Sequence, residues 1–186
     1  LIDEQPGLAH DLSAVVRAWL SNGVKWKGVA LPNAPADDAA YARIVAEDAF
    51  QQAHPALGRR VFERSGCVKC HTTVVEDTER APSLKGIGKA QKVEYLVESV
   101  LDPSAVIKTG FETELIVTRD GKVHSGLVKE VGESLRVILA EGETRLDKAD
   151  IEERSVQKKS LMPDGQHRLL SLAEFADLIA YLQSLK

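Results

Sequence analysis

Apolar residues recur at helical spacing in four stretches of the chain, and each stretch predicts an amphipathic helix. The predicted helices cover about 8–20, 56–65 and 91–101, and a last helix begins at Ser171. Ser171 is followed three residues later by Glu174, a pair that is typical of a capping box at a helix start. The two ends of the chain and its middle are therefore expected to be helical.

The pattern is less regular just ahead of residue 55. Apolar positions there still fit a helix that starts at Asp37 or Asp38 and ends at His54, because a residue before proline avoids the helical region. Residues 1–54 are too few for a hydrophobic core of their own. We therefore expect them to pack on the rest of the chain as a helical extension.

The period of the pattern changes at about residue 111, where apolar and mostly polar residues begin to alternate. Asp120-Gly121 and Glu141-Gly142 are typical of tight turns between strands, and Gly126 indicates a bulge or a sharp bend. The range 111–157 is therefore predicted to form a small antiparallel sheet, rolled or barrel-like.

Composition narrows the class of protein further. The 186 residues, 44% of them hydrophobic and 28% charged, suffice for one full core with room for a smaller second module. The formal net charge of −4 gives no indication of nucleic-acid binding. No run of about twenty apolar residues occurs, so no membrane-spanning segment is expected.

The chemistry of the chain is concentrated in the five residues 67–71, Cys-Val-Lys-Cys-His. C-x-x-C-H is the haem attachment signature of c-type cytochromes. Thiols at Cys67 and Cys70 can each bond one vinyl-derived carbon of the same porphyrin, and His71 is then held beneath the iron as an axial ligand. A zinc site would need four ligands, and the chain has no other cysteines. A redox dithiol would need a βαβ context, which the flanking helix and loop do not provide.

Residues on either side of the motif are candidate haem contacts. In the helix before it, Gly58 leaves room for a second helix to cross, which we expect to be the last one at Tyr181. Phe62 would meet the porphyrin edge. After the motif, the Pro82 carbonyl can accept the Nδ1–H of His71, a bond that fixes the ring and raises its basicity. Leu84 and Ile87 would pack on the haem; otherwise this stretch is an ordinary turn with two core residues.

Met162, the only methionine, is the candidate for the second axial ligand. It lies in a loop before Pro163, where a thioether can face the open side of the iron. A sole methionine can instead fill a gap in the core. His167 is the nearest rival ligand, and the more distant candidates are His54, His124 and His10.

These motifs follow one another in a fixed order over residues 55–186: Gly-x-x-x-Phe, C-x-x-C-H, Pro-x-Leu-x-Gly-Ile-Gly, Leu-Asp-Pro-Ser (101–104), the predicted hairpins, Ser-Leu-Met-Pro-x-Gly and Ala-Tyr-Leu (180–182). In this the chain resembles the class I-like monohaem cytochrome c domain of planctomycetes and verrucomicrobia, which has a β insertion. One departure is Ala81, where that family commonly has glycine. Residues 1–54 lie outside the resemblance.

The resemblance implies a mainly α fold, in which the helices of a cytochrome c domain (55–186) surround a covalent haem. The sheet of 111–157 is then an insertion, and 1–54 an N-terminal extension. It also implies one haem c bound through Cys67 and Cys70, with His71 and Met162 on the iron. Such a domain is often the C-terminal part of a larger exported protein that carries dehydrogenase-like modules.

Because histidine and methionine together saturate the iron, the expected function is one-electron transfer to a redox partner protein or a fused dehydrogenase-like domain, without enzyme activity of its own. The alternative is a haem-based gas or peroxide sensor, or a peroxidase-like centre, in which the sixth ligand is labile. In a third interpretation the β insertion is a binding module and the haem a structural staple. Haem attachment normally follows export, so we expect a periplasmic or otherwise exported protein whose signal or longer N-terminal portion precedes Leu1. The sequence does not indicate an oligomeric state.

Overall fold

A computed structural model describes residues 38–46 and 48–186, all of which belong to one structural unit. The predicted helix over 8–20, most of the predicted extension and His10 lie outside the described residues. The α-helices of the described part are α1 (Asp38–Ala42), α2 (Asp48–Gln51), α3 (Pro55–Arg64), α4 (Ile87–Ala90), α5 (Val93–Leu101) and α6 (Leu172–Ser184). Short 3₁₀ helices cover Ile44–Ala46, Cys67–Lys69, Lys148–Asp150 and Gln166–Leu169.

The single helix predicted up to His54 is wrong in its continuity, since α1, a 3₁₀ turn and α2 take its place. Adjacent β-branched residues, Ile44 and Val45, disfavour a regular helix at this point. Tyr41 and Ile44 are buried in the same cluster as residues of α3, α5 and α6. The described part of the predicted extension therefore contributes to the main helical core.

Helices α3 and α6 cross closely at Gly58, as the sequence predicted. A Cβ placed on Gly58 would lie 1.9 Å from the Asp177 carbonyl oxygen and 2.7 Å from the Tyr181 Cβ. One turn further along α3, the rings of Phe62 and Tyr181 are 5.6 Å apart between centroids. Glycine at this point lets two helix backbones touch, so the predicted crossing is confirmed.

The helical core consists mainly of buried side chains from α3, α5 and α6, together with those of α1 and of the 3₁₀ turn that follows it. Its buried members are Tyr41, Ile44, Val61, Phe62, Leu96, Val97, Val100, Leu170, Phe175, Ala176, Leu178, Ile179 and Leu182. Burying such aliphatic and aromatic side chains supplies most of the favourable free energy of folding.

Five antiparallel strands form the sheet, in the order β4-β3-β2-β1-β5. Their bounds are β1 (Glu114–Thr118), β2 (Val123–Val131), β3 (Ser134–Ile138), β4 (Glu143–Asp147) and β5 (Ile151–Val156). A second, smaller cluster lies here, made of the buried residues Ile116, Leu135 and Val137. The strands predicted within 111–157 are confirmed.

Strand β2 changes its pairing partner at Gly126. It pairs with β1 up to Gly126 and with β3 from Leu127 onward. A Cβ on Gly126 would lie 2.3 Å from the Ile138 carbonyl oxygen, so the two backbones approach too closely for any larger residue. The bulge or sharp bend predicted at this glycine stays a prediction; the structure shows the change of partner and the close approach of two backbones.

The expectation of a mainly α fold class is wrong. A five-stranded antiparallel sheet with a hydrophobic cluster of its own stands beside the helices in the described residues, so this part of the chain mixes α and β structure. The strands were predicted, but the mainly α class was implied by the family resemblance, and the five-stranded sheet contradicts it. Within residues 38–46 and 48–186, no helix is long and apolar enough to cross a membrane.

Candidate haem-binding site

The C-x-x-C-H residues form one tight turn directly after α3. Gly66 adopts a left-handed conformation, with φ of 81°, and starts the 3₁₀ helix Cys67–Lys69. The backbone N–H of His71 donates to the Cys67 carbonyl at 2.9 Å, which closes the turn. Cys67, Cys70 and His71 are thereby held on a single short element, and each of the three is half-buried.

Both cysteines carry free thiols in this turn. Cys67 packs against the helical core, and this burial raises the pKa of its thiol. A buried thiol of raised pKa is a poor nucleophile, because the thiolate is the reactive form. Cys67 is therefore a weaker nucleophile than an exposed thiol.

His71 makes the bond that the sequence predicted. Its Nδ1 lies 2.9 Å from the Pro82 carbonyl oxygen. A carbonyl can only accept, so Nδ1 carries the proton and Nε2 keeps its lone pair. Burial lowers the pKa of His71, against the opposing effect of the Pro82 bond, and so favours the neutral ring. A neutral imidazole with a free Nε2 is the form that binds a metal.

The loop between His71 and α4 has a framework of its own, centred on Thr78. The Thr78 hydroxyl donates to the Cys70 carbonyl at 3.0 Å and accepts from the backbone N–H of Ala81 at 3.0 Å. Leu84 N–H donates to the Thr72 carbonyl at 2.8 Å, so the far end of the loop returns to its beginning. The Pro82 carbonyl is thus presented to His71 by a loop with fixed ends.

The same loop is attached to the sheet. Arg80 donates to backbone carbonyls in the turn between β3 and β4. Next to it, Glu79 pairs with Arg136 of β3 at 2.5 Å. Asp77 pairs with Lys108 at 2.6 Å, and this contact, followed by the Ser83 N–H, holds the pKa of Asp77 below its usual range.

Met162 lies in the segment between β5 and α6. Its side chain is half-buried and packs against the helical core, as do those of Cys67, Leu84 and Ile87. Its backbone N–H donates to Ser160 Oγ at 3.1 Å, and Ser160 N–H donates to Ser104 Oγ at 3.2 Å. The structure therefore brings the candidate sulfur to the same hydrophobic cluster as one thiol of the motif.

Phe62 is buried within that cluster and contacts Tyr181. Its contact with a porphyrin edge stays a prediction, as do the haem contacts of Leu84 and Ile87.

His167, the nearest rival to Met162, is engaged elsewhere. It is 2% exposed, and its Nε2 lies 2.9 Å from Asp38 Oδ1. Arg168 also donates to Asp38, and these two contacts, Arg168 first, hold the pKa of the Asp38 carboxyl well below its usual range. The histidine thereby joins α1 to the Met162 segment through Nε2, while its Nδ1 is buried without a hydrogen-bond partner among the described residues. It therefore stays a rival to Met162.

The long-range contacts of Arg80 and Asp38 were not predicted from the sequence. Their partners lie 59 to 62 positions away for Arg80 and 129 to 130 for Asp38. Charged residues in polar stretches of this kind carry no signal of a distant partner. Only the Glu141-Gly142 turn signal, which locates the β3–β4 hairpin, could have indicated where Arg80 would find carbonyls to bind.

No group of three or more histidine, cysteine, aspartate and glutamate side chains suited to a metal ion occurs in the described part of the chain. No family model matches the chain, and no curated protein matches it. A functional assignment therefore depends on the chemistry of residues 67–71, Pro82 and Met162.

Proposed function

We propose that this protein is an electron-transfer module with one haem c, attached through Cys67 and Cys70 and ligated by His71 and Met162. The observation that carries the proposal is the bond from His71 Nδ1–H to the Pro82 carbonyl. It fixes the tautomer that leaves Nε2 free, and it lies beside two cysteines at the spacing of haem attachment.

The residues fit this group in three respects. The turn at 67–71 holds two thiols and the imidazole together on one element. Met162, Leu84 and Ile87 pack on the hydrophobic cluster that Cys67 also contacts, and a porphyrin needs such apolar surroundings. The thioether of Met162 is a soft ligand of the kind that raises the potential of haem iron.

Bound haem c would supply one-electron exchange between ferric and ferrous iron. The chain's own residues would bind it covalently, orient the imidazole through Pro82 and keep the sixth position occupied through Met162. With both axial positions filled, the module would transfer charge to a redox partner protein or to a dehydrogenase-like domain of the same polypeptide, in the periplasm or another exported location.

The test is expression with a cytochrome c maturation system, followed by denaturing electrophoresis and visible spectra. Covalent haem should survive denaturation in the wild type and should be lost when both Cys67 and Cys70 are replaced by alanine. The ferric protein should show the weak far-red band of sulfur on iron. Met162→Ala should abolish that band, while Leu161→Ala, a neighbouring half-buried side chain, should retain it.

Two results would contradict the proposal. A purified protein without covalent haem would exclude it outright. A wild-type protein that binds haem but lacks the far-red band, and that takes up carbon monoxide or peroxide directly, would instead support the sensor or peroxidase-like alternative with a labile sixth ligand.

A further inference from the structure

The guanidinium of Arg80 joins the loop after His71 to the sheet. Its Nη1 donates to the Leu139 carbonyl at 2.8 Å and to the Ala140 carbonyl at 3.4 Å, and its Nη2 donates to the Gly142 carbonyl at 2.9 Å. These acceptors belong to the turn between β3 and β4, so one side chain spans the whole turn. Charge-assisted bonds to carbonyls are stronger than neutral ones, and the planar guanidinium suits several acceptors at once.

Arg80 is close in sequence to the acceptor of His71. Only the buried residue Ala81 separates it from Pro82, whose carbonyl lies 2.9 Å from His71 Nδ1. A chain of three residues has little freedom to absorb a displacement. A shift of the β3–β4 turn would therefore be passed through Arg80 and Ala81 to the Pro82 carbonyl, and would change its distance from the imidazole of His71.

We propose that Arg80 is a positioning residue for the proximal histidine, and that the sheet, through Arg80, tunes the strength of the bond between His71 and Pro82. This inference rests on the proposed function, since it assumes that His71 Nε2 binds iron. A firm bond at Nδ1 makes the imidazole a better donor, which favours ferric over ferrous iron and lowers the reduction potential. Weakening that bond raises the potential.

The competing explanation is that Arg80 only stabilises the fold. The Thr78 framework ties Ala81 to Cys70 without help from the sheet. If that framework suffices, removing the guanidinium will cost stability and leave the His71 bond unchanged. The experiment therefore needs a second arginine whose loss costs a similar contact at another place.

Arg119 provides this control. Its Nε donates to the Ala149 carbonyl at 3.0 Å, again a bond from an arginine side chain to a backbone carbonyl, but a single one, made to the 3₁₀ helix between β4 and β5. The variants are Arg80→Gln, Arg119→Gln and Arg80→Lys. Lysine keeps the charge but can reach fewer of the three carbonyls, so it should restore the function in part.

Two readouts are measured on each holoprotein: the reduction potential, and the solvent exchange rate of the His71 Nδ1 proton by NMR on histidine-labelled protein. Arg80→Gln should raise the potential and speed exchange by about tenfold or more, because the loop opens more often. Arg80→Lys should fall between this variant and wild type, and Arg119→Gln should match wild type in both readouts. Equal exchange rates and potentials in the Arg80→Gln and Arg119→Gln variants would overturn the inference.

Failure of the proposed function is distinguishable from failure of this inference. If the wild type carries no covalent haem, the proposed function fails, while the geometric part of the inference is still tested. Exchange of the same proton in haem-free protein then shows whether Arg80 holds the Pro82 carbonyl at all. If haem is bound through His71 and neither readout responds to Arg80, only the positioning role is wrong.

Discussion

The two segments that hold the candidate iron ligands are built in different ways. The loop after His71 is fixed by hydrogen bonds to itself through Thr78 and to the sheet through Arg80, and its Pro82 carbonyl holds the ligand directly. The Met162 segment is anchored at its ends, by Ser160 on Ser104 and by Arg168 on Asp38. The first segment orients its candidate ligand, His71, with a directed bond, and the second orients its candidate ligand, Met162, by packing.

The difference follows from the chemistry of the two side chains. An imidazole has a second nitrogen that can be bonded behind the metal-binding one, so its direction can be fixed by a carbonyl. A thioether is a weak acceptor with three rotatable bonds, and only its surroundings decide where the sulfur points. We therefore expect His71 to be the durable ligand and Met162 the one that responds to changes elsewhere in the fold.

The largest expected effect concerns the crossing of α3 and α6 at Gly58. Gly58→Val would place a side chain where the Asp177 carbonyl lies 1.9 Å from the position of a Cβ, so α3 and α6 must separate. We expect the free energy of unfolding to fall by about 3 kcal/mol or more, as for severe overpacking. Urea unfolding measures it. Ala56→Val, at an exposed position of the same helix, should cost about 0.5 kcal/mol.

Gly58→Val would also affect both segments, because Met162 packs against the core that it disturbs and the turn of His71 directly follows α3. A variant that unfolds as easily as the Ala56→Val control would show that the crossing is loose enough to absorb a valine. In that case the packing of α3 against α6 would not be rigid enough to fix the position of either segment.

What could be foreseen from sequence was local or periodic. The crossing at Gly58 followed from a glycine within a helical stripe, the strands from alternation, and the Pro82 bond from a proline eleven positions after His71. Arg80 and Asp38 could not be foreseen, because their partners are chosen by how the sheet and α1 dock. The fold class was misjudged for a related reason: local motifs do not reveal how large a share of the structure an inserted sheet becomes.

The second largest effect concerns the contact between α1 and the chain just before α6, which follows the Met162 segment. The Tyr41 hydroxyl donates to the carbonyl of Leu170 at 2.6 Å, and both residues are buried. Tyr41→Phe leaves that carbonyl without its partner, so we expect unfolding to become easier by about 1–2 kcal/mol. Tyr95→Phe, which removes a hydroxyl from a half-buried ring on α5, is the matched control.

Tyr41→Phe sharpens the comparison through a second readout. If α1, which carries Tyr41, helps to hold Met162 in position, the far-red band should weaken in Tyr41→Phe. The exchange of the His71 Nδ1 proton should then stay at its wild-type rate. If the far-red band weakens and the His71 Nδ1 proton also exchanges faster in Tyr41→Phe, the two segments are not independent.

The smallest effect is electrostatic and depends on pH. Arg168 and, after it, His167 hold the pKa of Asp38 below its ordinary value. The ionised carboxylate therefore contributes stability that is fully present above the unfolded pKa of about 4 and is lost as the pH falls through the lower folded value. The midpoint of urea unfolding, measured from pH 7 down to pH 2, should fall more steeply in wild type than in Asp38→Asn.

The two proteins should differ most near neutral pH and converge below about pH 4, and added salt should reduce the gap, since Asp38 is largely exposed. Asp164→Asn, an exposed carboxylate in the Met162 segment, separates the loss of a negative charge from the loss of the Asp38 contacts. A gap between wild type and Asp38→Asn that is constant over the whole range would mean that the carboxyl acts as a neutral hydrogen-bonding group. The Met162 segment would then be held by uncharged hydrogen bonds at both ends. Any pH dependence of the unfolding midpoint would have to come from other titratable groups.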